Sequence, residues 1–129
     1  MHLIIDGYGS DPSILQDEGA IYEFLDQYPA QIKVTKIAPP LVFRYIGSKP
    51  EDWGISGFVL IAESHISIHT FVERSFANID IFSCKDFDAD QAIKELQQKF
   101  KLTRVKTCLI DRSWKSFSPT REPVQFFTK

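Results

Sequence analysis

Cysteine is scarce in this chain: Cys84 and Cys108 are the only two among 129 residues. Two thiols so far apart exclude a disulfide-stapled scaffold, although counting leaves a single disulfide open. Histidine is scarce as well, with three residues. His65 and His69 are spaced i, i+4, which suits a metal pair only on a helix, and their surroundings read as strand. No metal is expected. Nor is there an apolar run of membrane-spanning length. The opening Met1-His2-Leu3-Ile4-Ile5-Asp6-Gly7 has no basic flank, so no signal peptide is expected and the cytoplasm is the default location. Basic residues are not in excess either: 15 Lys and Arg face 17 Asp and Glu, for a net charge of -2. They are scattered, which argues against a nucleic-acid partner. Low-complexity segments and internal repeats are absent.

What is present is apolar material. Hydrophobic residues make up 43% of the chain, with 11 Phe. That suffices for one domain, 1–129, around one core. Most of the Phe belong to that core; some can line a pocket or a subunit contact.

Residues 2–6 fit a strand. Pro12 suits a helix first turn capped by Ser10 or Asp11. Ile14, Leu15, Ile21, Tyr22, Phe24, Leu25 and Tyr28 recur at helical spacing, predicting one helix from about 13 to 28, ended by Pro29. Residues 31–37 and 41–46 read as extended. Runs 56–62 and 66–72 form a hairpin with Glu63, Ser64 and His65 at its bend. Residues 76–83 make a further strand. Asp88 caps a second helix with Ala92, Ile93, Leu96 and Phe100 on its buried stripe. Residues 103–110 alternate as a last strand, and the tail 113–129 is expected to be loose or wrapped on the surface. The order predicts an α+β, two-layer sandwich: a mostly antiparallel sheet with two helices on one face. No helix remains for the other face, so a second subunit is its natural cover.

A serine at a tight bend is ordinarily a turn former. Here Ser56, His69 and Cys84 lie close by in sequence, each with polar or nucleophilic chemistry among apolar strands. Strand alternation puts Ser67, His69 and Phe71 on one face, with Glu73 continuing the parity. Phe76, Asn78, Asp80, Phe82 and Cys84 share a face of the next strand. Alternation alone does not place His69 beside Ser64; the bend at 63–65 would have to fold the serine back over the strand.

The chain supplies Ser56-Gly57, Glu63-Ser64-His65, Ile68-His69-Thr70-Phe71, Glu73, Ala77, Ile79-Asp80, Phe82 and Cys84. This pattern resembles the bacterial and archaeal S-adenosylmethionine decarboxylase family, a pyruvoyl-dependent group, over roughly residues 1–112. The resemblance implies self-cleavage between Glu63 and Ser64, leaving a β chain 1–63 and an α chain 64–129. It implies a pyruvoyl cofactor made from Ser64, which takes a small-molecule amine as a Schiff base and acts as an electron sink during decarboxylation. By the same resemblance His69 serves proton transfer in processing, Ser56 assists that step, and Cys84 returns a proton to the substrate. Glu73 and Phe71 are implied to bind ribose and adenine, and Trp53, the one ring in the preceding loop, to help hold the adenine. A homodimer of processed αβ protomers, acting in polyamine (spermidine) synthesis, is implied as well. The family has Trp-Pro where this chain has Phe71-Val72, and often Gly where it has Lys85. The substrate side therefore departs more than the processing side. A basic amino acid, arginine or ornithine, stays open as the alternative substrate, and a non-enzymatic, unprocessed relative as the other alternative. Cys108 has no matching role and reads as structural.

Overall fold

In a computed structural model the described residues are 1–114 and the backbone of 125–128. Eight strands form one sheet: β1 (His2–Tyr8), β2 (Thr35–Lys36), β3 (Leu41–Ile46), β4 (Trp53–Ala62), β5 (Ser64–Phe71), β6 (Phe76–Ser83), β7 (Arg104–Ile110) and β8 (Gln125–Thr128). Their order is β2-β4-β5-β6-β1-β7-β8, with β3 also on β4. Every pairing is antiparallel. The helices are α1 (Pro12–Leu15), α2 (Glu18–Gln31) and α3 (Ala89–Lys99). The architecture is the expected α+β sandwich, with a third, short helix added.

Period-two alternation decides which face is buried. Leu3 and Ile5, Ile55, Val59 and Ile61, Ile66 and Ile68, and Ala77, Ile79 and Ile81 all turn to the helix side and are buried. There they pack with Ile21, Phe24 and Leu25 of α2 and Ala92, Ile93 and Leu96 of α3 in one core. Phe24 of α2 meets Phe100, just past α3, edge to face with ring centroids 5.2 Å apart. Packing there is close. A Cβ on Gly57 would stand 2.8 Å from Leu25 Cδ1, so β4 needs glycine where α2 crosses it. Among the described residues no helix is long and apolar enough to cross a membrane.

Several boundaries differ from the sequence reading. The single helix 13–28 is two helices. Asp11 caps α1 by accepting from the Ser13 N–H, and Asp17 caps α2 by accepting from the Ala20 N–H at 3.0 Å. The second cap restarts the helix at Glu18. Pro29 does not end α2 but lies inside it. Its ring is buried, which offsets the loss of one helical N–H, and the chain turns away only at Lys33, with φ 61°. Because α2 runs on to Gln31, only Thr35 and Lys36 of the expected 31–37 strand pair, with Ala62 and Ile61. In the tail, Gln125–Thr128 pairs with β7, while residues 115–124 and 129 lie outside the described residues.

Among the described residues, no helix covers the sheet's other face. It carries Phe43 at 62% exposure, Tyr45 at 63% and Leu60 at 43%, together with Leu41 and Phe58.

Candidate active site

The candidate residues fall at the two ends of the β4–β5 hairpin. At the bend, Ile61 pairs with Ser64, and Ser64 pairs on its other side with Ser83. Only Glu63 separates the two strands. Ser64 has φ 124°, a region that residues with a Cβ seldom occupy. Its Oγ lies 3.7 Å from Cys84 Sγ. The Cys84 backbone N–H donates to the Glu63 carbonyl oxygen at 3.3 Å. The Glu63–Ser64 peptide thus has a hydroxyl on one side and a hydrogen-bonded carbonyl on the other. Attack on that carbonyl would put negative charge on the oxygen facing the Cys84 N–H. A fixed backbone donor at such a point is worth roughly 10²–10³ in rate.

Beside this end, on the open face, lies an aromatic and cationic group. His2 stacks on Phe82 with centroids 5.2 Å apart, His65 meets Phe82 edge-on, and the Arg112 guanidinium stands 4.2 Å from the Phe82 centroid. His2 Nε2 is 3.5 Å from Asp80 Oδ1. Burial pushes the His2 pKa below its ordinary value; Asp80 opposes that shift, and Arg112 and His65 reinforce it.

The second group sits at the far end of β5. His69 pairs with Ser56 on β4 and with Asn78 on β6. Ser56 Oγ and His69 Nδ1 share a hydrogen bond at 2.9 Å. The row continues to Asp6, which accepts from Asn78 Nδ2 at 2.6 Å. His69 is exposed on the open face. The faces assigned separately to β5 and β6 do coincide, through the His69–Asn78 and Ser67–Asp80 pairs. Glu73, however, does not extend strand parity: β5 ends at Phe71 and a 3₁₀ turn (Val72–Arg74) carries Glu73. Its Oε1 accepts from Trp53 Nε1 at 3.0 Å. Arg44 lies over the Trp53 ring, 4.5 Å from its centroid, and Arg74 pairs with Asp52 at 2.8 Å. Buried Thr70 fixes this end of the hairpin, accepting from the Ile55 N–H and donating to the Leu15 carbonyl, each at 2.9 Å.

The requirement that the bend bring Ser64 back to His69 is not met. Five residue steps along an extended strand separate them, about 16 Å at the usual rise per residue. The candidate residues thus fall into separate groups: Glu63, Ser64 and Cys84 at one end of the hairpin, and the Ser56–His69 and Trp53–Glu73 pairs, with Phe71, toward the other. Three contributors escaped the sequence reading. The Cys84 N–H is a backbone group, which no side-chain motif reveals. Asn78 and Asp6 could have been found from the shared parity of β5, β6 and β1. Cys108 is buried away from both groups, and burial pushes its thiol pKa up.

Residues 1–113 match the sequence profile of a family described as S-adenosylmethionine decarboxylase. The chain belongs to the S-adenosylmethionine decarboxylase family. It is 36% identical to the S-adenosylmethionine decarboxylase proenzyme of Pyrobaculum islandicum, over 87% of this chain and 86% of that protein. The proenzyme of the same name from Archaeoglobus fulgidus is 31% identical, over 86% of this chain and 95% of its own length. Among solved structures, the adenosylmethionine decarboxylase of Aquifex aeolicus superposes with a TM-score of 0.69 at 27% identity. The match covers 87% of this chain and 92% of that one.

Proposed function

We propose that this chain is the proenzyme of a pyruvoyl-dependent S-adenosylmethionine decarboxylase, a carboxy-lyase in polyamine (spermidine) synthesis. The carrying observation is the bend, where Ser64 Oγ, the Cys84 thiol and the Cys84 N–H converge on the Glu63–Ser64 peptide. In this reading Ser64 Oγ attacks the Glu63 carbonyl carbon and the C–N bond breaks, turning the amide into an ester. Loss of the Ser64 α-proton then expels the Glu63 carboxylate. Water replaces the nitrogen of the new terminal residue, which leaves as ammonia. The products are chains 1–63 and 64–129.

The pyruvoyl group made from Ser64 supplies a ketone conjugated to an amide, able to take a substrate amine and accept electrons as carbon dioxide leaves. The surrounding side chains do the rest. His69, held by Ser56, moves the proton in processing; an imidazole suits this near neutral pH. Cys84 returns a proton to the substrate α-carbon from a thiol already beside Ser64. Glu73 accepts hydrogen bonds from the ribose hydroxyls, and Phe71 offers a ring to adenine.

The separation of about 16 Å along the strand supports a homodimer as the working unit. A two-fold axis between two open sheet faces, perpendicular to the strands, would set the Ser64 end of each β5 against the His69 end of its copy. The exposed Phe43, Tyr45, Phe58 and Leu60 favour such a cover, since monomeric proteins rarely leave contiguous apolar patches of this kind in water.

Incubating purified protein with carboxyl-labelled S-adenosylmethionine, and separately with labelled arginine and ornithine, tests the reading. Labelled carbon dioxide from the sulfonium substrate alone is expected. Release from an amino acid instead, or from none by a cleaved sample, would contradict it.

A further inference from the structure

Trp53 is the one ring in its loop, and at first sight a stacking surface for a base. The contacts give it other work. One face of the indole is taken by the Arg44 guanidinium, 4.5 Å from the ring centroid. Its Nε1–H is taken by Glu73 Oε1 at 3.0 Å. Glu73 itself is exposed on a 3₁₀ turn, with no other hydrogen bond among the described residues. An exposed glutamate on a short turn samples several rotamers, and freezing one when substrate binds costs affinity. A half-buried indole with a single N–H donor fixes the carboxylate beforehand. Arg44, reaching across from β3, in turn holds the ring flat.

We propose that Trp53 is a positioning residue: with Arg44 it pre-sets the Glu73 carboxylate to receive the substrate's vicinal diol, and does not itself stack on the base. This rests on the reading of Glu73 as the ribose-binding group. The consequence is a specificity device. Trp53 should matter only for substrates that carry the hydroxyls.

The test uses the processed full-length protein, wild type and Trp53→Phe, with S-adenosylmethionine and its 2′,3′-dideoxy analogue. Trp53→Phe keeps a ring and removes the N–H. We expect normal self-cleavage, and KM for S-adenosylmethionine raised about tenfold with kcat little changed, the worth of one hydrogen bond to a charged group. Turnover of the dideoxy analogue should be unaffected, so discrimination between the two substrates falls by the same factor. Discrimination equal to that of wild type would overturn the assignment. If wild type itself does not discriminate, the ribose role of Glu73 fails first, and the positioning role with it. Should Trp53→Phe not fold, Arg44→Gln, at an exposed side chain, reads the same property. A loss of discrimination of about threefold is expected there, and none would overturn the proposal.

Discussion

At Ser64 and Cys84, two roles meet in one small space. The Cys84 N–H addresses the Glu63 carbonyl, while its thiol lies by Ser64 Oγ. Backbone and side chain of one residue would thus serve different stages, and substitution separates them. Cys84→Ala keeps the N–H and loses the thiol. It is expected to cleave itself at close to the normal rate and then to decarboxylate about 100-fold more slowly, the usual worth of a positioned general acid. Gel electrophoresis and labelled carbon dioxide measure the two stages. Full turnover by Cys84→Ala would remove the proton-donor role, and failure to cleave would tie the thiol to processing. The sequence made Cys84 legible through its spacing from His69, but only as a side chain. Its amide could not be read from a motif, because every non-proline residue has one.

Among the elements, those with a strong period were legible to the residue or nearly so. The expected strand 76–83 is β6 (Phe76–Ser83), and Asp88 caps α3 by accepting from the Gln91 N–H. Their apolar positions alternate or recur without interruption. Boundaries failed where a local signal competed with packing. Pro29 reads as a stop, yet its ring is buried in the core and the helix continues past it. Between α2 and α3, Tyr28 carries a buried hydroxyl whose interaction with the Glu95 carboxylate falls short of a full hydrogen bond. Burial first, and Glu95 second, push its pKa far above the ordinary value. A buried polar group without a partner is a cost that its removal relieves. Tyr28→Phe is therefore expected to stabilise the protein by about 1 kcal/mol in urea or thermal unfolding. A loss of that size would mean that the hydroxyl is bonded after all.

For the whole molecule, the sequence pointed to candidate residues but not to their arrangement. His69 follows Ser64 by five positions, which in sequence suggests contact; in an extended strand it means separation. The uncovered, aromatic-rich sheet face and the split site are accounted for together if two copies exchange half-sites. Co-expressing differently tagged Ser64→Ala and His69→Ala chains puts that to a test. Each alone should stay uncleaved. Together, the His69→Ala chain should be cut in mixed dimers, using His69 from the other copy. No cutting in isolated mixed dimers would place the working site within one chain.

The central claim, that Ser64 becomes the reactive group, is tested most directly by the intact mass of the purified protein. Two chains corresponding to 1–63 and 64–129 are predicted, the second blocked to N-terminal sequencing, with Ser64→Ala remaining whole. A single 14.8 kDa chain after prolonged incubation would contradict it.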